Sequence, residues 1–349
     1  MDGFDCDAQP NRTQAIRWKR THQMKNSGKL VAVGDLRGSS HAPVQGAPRG
    51  ACPPGWRKLA VAAGLTVALV MCFIVPLCDW TGFAMNSEFY SYMPLMPLIT
   101  GYLIWLRRAG LGRNTRPFWG AAAAAAAAGG AILALYFYAR HQGWFPAEAD
   151  YLCVMMLSFL LLLLAAGFAS LGAATMSAIA FPLALLLFMV PYPERVNEGL
   201  ENFFQQASAA TAHGFFSLAG THCEQKGMVL NLPTNFSLMV APECSGIHST
   251  QVLLITSLLA GNFFLRSPWR RAFLALFIVP LAIFRNGFRI FTIGELCVHV
   301  SHDMIHSWIH HQGGPVFFAL SLIPFFLVLL WLRKPESQVQ ITLKSGDKA

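Results

Sequence analysis

Three short stretches of this chain hold the residues best able to do chemistry. VAPECSGIHS, residues 240–249, puts Cys244 two positions before Gly246 and four before His248, at the head of a long apolar run. FRNGFRI, residues 284–290, sets Arg285 and Arg289 four apart, so a helix would carry both on one face. HVSHDMIHSWIHHQGG, residues 299–314, holds five of the chain's 11 histidines. His302, His306 and His310 fall at helical spacing there, and His311 follows directly.

These residue types suit acyl transfer by a thiol. A cysteine in the first turn of a helix is favoured as thiolate, and Ser245-Gly246 leave room for a substrate backbone to approach. A fixed guanidinium can stabilise a developing oxyanion through charge-assisted hydrogen bonds. A histidine can deprotonate the thiol and later protonate the leaving amine. Each residue also has a bland reading: Cys244 as a small apolar residue, the arginines snorkelling to headgroups, the histidines as an interfacial stripe. A rival chemistry is metal binding or transport, with Cys244 and His248 at i,i+4 and the 299–311 histidines completing a sphere. Against it, carboxylates and histidines are nearly absent from the middles of the apolar runs, and the arginines would repel a cation.

The elements that must position these residues are membrane helices. Of 349 residues 54% are hydrophobic and only 12% charged, which excludes an ordinary soluble domain. The net charge of +9 sits in short clusters between apolar runs, a pattern of membrane orientation and not of a nucleic-acid groove. Eight cysteines at irregular spacing make no disulfide scaffold, and neither CxxC nor HExxH occurs. Residues 1–57 are polar and rich in Gly, Pro, Ser and Arg, and are expected to be a largely disordered basic tail. The first apolar run begins only near Leu59, which argues against a cleavable signal peptide.

Runs long enough to cross a bilayer lie near 59–79, 89–106, 118–138, 151–171, 174–191, 247–265, 272–293 and 315–332. The fourth and fifth are joined by almost nothing and are expected to form a helical hairpin. Eight spans with both termini inside put every basic cluster on the cytoplasmic side: Arg57 and Lys58; Arg107, Arg108, Arg113 and Arg116; Arg266, Arg270 and Arg271; Arg333 and Lys334. The opposite face then receives residues 192–246. Within them, 194–219 has the periodicity of an amphipathic surface helix, and 227–242 that of a two-stranded hairpin leading into Cys244. The expected fold is therefore an all-α polytopic membrane domain over 58–335, with a small outer segment and a short cytoplasmic tail at 336–349.

From about residue 88 to 333 the chain resembles the exosortase/archaeosortase family of polytopic membrane cysteine transpeptidases. The likeness is carried by SEFYSYMPLMPLITGYLIWLRR, FPLALLLFMVPYP, VAPECSGIHS, RSPWRR, FRNGFRI and a histidine shortly before the last run. The resemblance implies Cys244 as nucleophile, Arg289 as oxyanion or substrate stabiliser and His310 as acid/base. Ser245, Gly246, His248, Arg285, Asn286, His306 and His311 are candidates for substrate contact. The chain departs from the family at Gly314-Pro315, where Gly-Trp is common, at His311, where an acidic residue is, and at His248, where Arg is. The resemblance further implies no cofactor or metal, and an inner-membrane site facing the periplasm. It implies exported partners with a C-terminal motif such as Pro-Glu-Pro, one transmembrane helix and a basic cluster. That signal would hold the substrate in the lipid with its motif beside Cys244.

Overall fold

A computed structural model describes residues 54–87, 89–108, 116–233, 236–240, 246–299 and 314–346. The tail expected over 1–57 lies almost wholly outside them.

Among the described residues, five helices are long and apolar enough to cross a membrane: α4 (Trp119–His141), α5 (Glu148–Ala178), α8 (Ile247–Phe264), α9 (Pro268–His299) and α10, over its part Gly314–Lys334. A sixth results if α1 (Pro54–Cys72) and α2 (Ile74–Asn86) count as one span bent by 73°. The bend has a local cause, because Pro76 has no N–H to give the carbonyl of Cys72. The expected eight spans are thus reduced in two places. α3 (Leu95–Arg107) has 13 residues, since the chain turns through 89–94 and Pro94 and Pro97 restrict where a helix can begin. At 1.5 Å per residue it covers about 20 Å, short of the ~30 Å hydrocarbon core.

The second reduction lies between Gly172 and Val190. α5 breaks at Gly172, whose φ of 79° and ψ of 167° suit glycine alone. Beyond it come the last residues of α5, the short α6 (Ala180–Leu185) and a 3-10 turn, Leu186–Met189. Pro182 interrupts this stretch by leaving the Ala178 carbonyl without its helical donor, and Arg107 Nη1 donates to that carbonyl at 2.9 Å. The stretch nevertheless runs back along α5. Near Gly172, Phe118 N–H donates to the Phe168 carbonyl at 3.1 Å, and at the far end Glu194 N–H donates to Asp150 Oδ1 at 2.9 Å. The expected hairpin is present, with a broken second arm.

Basic side chains gather at the first of these ends. Arg107 Nη2 also reaches Asn262 Oδ1 at 3.3 Å, Arg270 Nη1 the Leu332 carbonyl at 3.2 Å, and Arg333 covers the Phe264 ring. The other end mixes acidic and aromatic side chains with Arg140: Tyr151 donates to Asp79 at 3.2 Å, the Trp80 indole donates to the Met189 carbonyl at 2.7 Å, and Arg140 lies over the Phe145 ring.

α7 (Glu194–Ala219) forms where the amphipathic pattern places it and ends on Gly220 in the left-handed region. Its apolar face packs on α9, burying Phe204, Ala209, Ala212 and Phe216. The close approach depends on Gly287 and Gly294, two turns apart on α9. A Cβ on Gly287 would stand 2.7 Å from Thr211, and one on Gly294 would collide with Phe216. A correction follows for the hairpin: the sheet has three antiparallel strands, β1 (Glu224–Lys226), β2 (Val229–Leu232) and β3 (Phe236–Met239), so the chain is not wholly α. β1 is three polar residues and carries no alternation a sequence pattern could reveal. Leu230, Leu232, Leu238 and Val240 seal the sheet against α7 and Ile290 of α9.

Candidate active site

The site is built where α7, α8 and α9 meet. α8 starts from Gly246, which has φ 73° and ψ 9°, a conformation glycine adopts without a Cβ clash. Space enforces the same choice, because a Cβ there would lie 3.1 Å from Asn286 Cγ and 3.2 Å from Arg285 Nη2. The Gly246 carbonyl opens the helix by accepting from Thr250 N–H at 3.0 Å and Thr250 Oγ1 at 2.7 Å.

α9 supplies the other wall. Arg285 is only 7% exposed, and its Nη2 donates to Ser249 Oγ at 2.5 Å and to the Gly246 carbonyl at 3.3 Å. Asn286, 3% exposed, donates from Nδ2 to Ser208 Oγ of α7 at 3.0 Å. Arg289 stands one turn further along and is less buried.

Together these elements line a cavity of about 1000 Å³. Gly246, His248, Arg285, Asn286 and Arg289 all face it, as do Gly314 and Pro315 at the start of α10. Five residues singled out in the sequence are therefore brought together. Cys244, Ser245, His306, His310 and His311 lie outside the described residues, as does His302. Gly246 follows Cys244 by two positions, and Gly314 follows His310 by four.

Several contributors were not visible in the sequence. Glu201 of α7 presents a carboxylate to the cavity and accepts from Asn197 Nδ2 at 2.8 Å. Asn86, Phe89 and Ser91 come from the segment joining α2 to α3, and Phe317 and Phe318 from α10. Glu201 did mark the polar side of a helix, but periodicity cannot say which polar residue faces a cavity. Below the cavity, Gln251 of α8 and Tyr192 exchange hydrogen bonds at 3.0–3.2 Å, tying α8 to the chain ahead of α7. Among the described residues no group of three or more His, Cys, Asp and Glu side chains could hold a metal ion.

Chemically, the cavity offers two guanidinium groups, one carboxylate, an exposed imidazole at His248 and apolar walls. Such a lining suits an extended peptide whose carbonyls and one charged side chain are held by arginine. Residues 80–327 match the family model described as transmembrane exosortase. No curated protein and no solved structure matches the chain.

Proposed function

The chain belongs to the transmembrane exosortase family, and on that premise we propose that it is a membrane cysteine transpeptidase acting on the C-terminal sorting signals of exported proteins. The observation that carries the reading is the meeting of Gly246, Arg285, Asn286, Arg289 and Gly314 on one cavity. They come from three stretches far apart in sequence, two of which adjoin Cys244 and His310. Chain reach supports it too: at ~3.6 Å per residue, two residues span about 7 Å and four about 14 Å.

In this mechanism the Cys244 thiolate attacks the scissile carbonyl carbon, and Arg289 stabilises the oxyanion of the tetrahedral intermediate. As the intermediate collapses, the C–N bond breaks and His310 delivers a proton to the leaving amine. The C-terminal helix departs, and the exported protein remains as a thioester on Cys244. An acceptor amine, alcohol or water then attacks, gives its proton to His310 and expels the thiolate. Around this chemistry, Gly246, His248, Arg285 and Asn286 hold the substrate backbone.

The chain would cross the inner membrane eight times, with α3 and the broken 173–190 stretch as short passes. The arginine-rich end faces the cytoplasm and the cavity faces the periplasm, in line with the positive-inside rule. The test is co-production with a periplasmic reporter that ends in a motif, an apolar helix and a basic cluster, taken from a protein of the same genome. The reporter is expected to lose its helix with the wild-type chain and to stay intact with Cys244→Ala. Normal processing by Cys244→Ala would end the transpeptidase reading.

A further inference from the structure

A second cavity, of about 450 Å³, lies at the end of the protein away from Arg107 and Arg270. α2 and α4 both pack on α5, and the cavity occupies the gap between them. Pro76 forms one wall, Tyr136, Phe137 and Arg140 the other, and Tyr151 and Met155 of α5 the floor. Two opposite charges stand at this cavity, each tied by a tyrosine. Arg140 Nη1 donates to the Tyr136 hydroxyl at 3.4 Å, and the guanidinium lies 5.4 Å from the centre of the Phe145 ring. Asp79, one turn after Pro76, accepts from the Tyr151 hydroxyl at 3.2 Å. The two tyrosine rings are 5.9 Å apart, so both charges are held in one neighbourhood. They nevertheless form no ion pair with each other; the ion pairs among the described residues are Lys226 with Glu224 and His299 with Glu295. Both charged side chains are exposed and can reach a ligand. Val75, Leu135, Phe137 and Tyr138 lie exposed around them, and Trp144 and Phe145 follow just beyond α4. Such aromatic side chains mark the level of the headgroups, with the acyl chains beneath.

We infer that this cavity binds a phospholipid whose headgroup joins a phosphate to a primary ammonium, as in phosphatidylethanolamine. Arg140 holds the phosphate by charge-assisted hydrogen bonds, Asp79 accepts from the ammonium, and an acyl chain lies in the gap between α2 and α4. The pair of charges decides the class of headgroup. Arg140 alone would suit any anionic lipid, but Asp79 repels a headgroup that is only negative. A choline headgroup carries a cation yet has no N–H to give Asp79. The walls decide that the ligand is a lipid and not a soluble phosphoester, because they are largely ring and aliphatic carbon and continue into exposed apolar helix faces. An arginine at a helix end can also snorkel to headgroups at large. That role does not call for a guanidinium fixed by Tyr136 and Phe145 beside a carboxylate fixed by Tyr151. The consequence reaches the first cavity, since α2 runs on from Asp79 to Met85 and Asn86, which line it.

The experiment is native mass spectrometry of the full chain in detergent, titrated with phosphatidylethanolamine, phosphatidylcholine or phosphatidylglycerol of identical acyl chains. Wild type is expected to bind phosphatidylethanolamine about 10-fold more tightly than either of the others, the range of one charge-assisted hydrogen bond. Arg140→Gln loses this binding and holds all three lipids equally weakly. Asp79→Asn keeps the phosphate contact and loses the discrimination against phosphatidylglycerol. Thermal unfolding follows the same order: added phosphatidylethanolamine raises the midpoint of wild type and not that of Arg140→Gln, because a ligand of the folded state stabilises it. Equal affinity of wild type for the three lipids overturns the inference, as does tightest binding of phosphatidylglycerol or unchanged selectivity in Arg140→Gln. Glycerophosphoethanolamine, the same headgroup without chains, is expected to bind far more weakly; equal binding would make this a soluble phosphoester site and reject the lipid. Should a variant fail to accumulate, the comparison of lipids on wild type decides by itself.

Discussion

Gly246 and Asn286 stand so close that a single added carbon between them would lie 3.1 Å from the Asn286 amide carbon. The contact joins the start of α8 to the middle of α9, and it leaves Asn286 free to hold Ser208 on its other side. Three helices thus meet at one small, polar joint on the wall of the cavity.

That joint makes Gly246 sensitive to the smallest substitution. Gly246→Ala adds the clash with Asn286 and forces alanine into the left-handed region, at about 1–2 kcal/mol for the backbone alone. Thermal unfolding in detergent is expected to shift down by that amount or more, with processing of a reporter lost well below the new midpoint. A variant with wild-type stability and activity would mean that α8 can begin in another conformation.

Ser208 and Asn286 bond where both side chains are buried, so removing one partner costs the other that hydrogen bond. Ser208→Ala is expected to destabilise the protein by about 1–3 kcal/mol. Combined with Asn286→Ala in a double-mutant cycle, it should show a coupling of about 0.5–3 kcal/mol. Strict additivity would indicate that the two side chains act independently.

The two arginines of α9 should respond differently to lysine. If both only snorkel, lysine is tolerated at either position. With Arg289 at the oxyanion, a planar fork is required and a compact ammonium cannot replace it. Arg289→Lys is expected to abolish processing in a reporter blot, while Arg285→Lys keeps part of it. The opposite order would exchange the roles of the two residues.

Among the cysteines, the chemistry should belong to Cys244 alone. Cys244→Ser and Cys244→Ala are both expected to leave a reporter uncut with membrane insertion unchanged, since a hydroxyl ionises far less readily than a thiol. Cys297 is 1% exposed, and Cys297→Ala and Cys153→Ala should process normally. Burial raises the Cys223 thiol above its ordinary range. The neutral thiol is therefore the favoured form, and alkylation of Cys223 should set in only at more alkaline pH than for an exposed thiol. Mass spectrometry of the alkylated protein across pH checks the order; early labelling of Cys223 would contradict it.

Orientation can be read with single cysteines at Lys226, on the sheet, and at Ser267, between α8 and α9. A membrane-impermeant thiol reagent is expected to label the first in intact spheroplasts and the second only after lysis. Equal labelling would remove the periplasmic placement of the cavity and the eight-pass proposal with it.

Hydrophobic length and period determined much of this protein from its sequence. Apolar runs located α4, α5, α8, α9 and α10, because about 20 apolar residues have no better place than lipid. Alternation of Glu194, Glu198 and Glu201 with Val196, Leu200 and Phe203 located α7, because a 3.6-residue period survives whatever the helix packs on. Arg285 and Arg289 also stood out as out of place, since a charge near the end of an apolar run has few bland uses there, whereas Asn286 was only a candidate for substrate contact.

Other features came only with the tertiary structure. The bend before Pro76, the shortness of α3 and the broken arm after Gly172 depend on where individual carbonyls find donors, such as Arg107 for Ala178, across gaps that no window of sequence spans. β1 escaped notice because it pairs as a sheet edge and buries nothing by alternation. The partners of the site were likewise decided in space: Ser208 lies 78 residues from Asn286, and Ser249 lies 36 from Arg285. A linear pattern can nominate a residue for chemistry, but it cannot show what neutralises it. Close packing of α8 against α9 gave Arg285 two neutral acceptors, Ser249 Oγ and the Gly246 carbonyl, and no ion pair among the described residues.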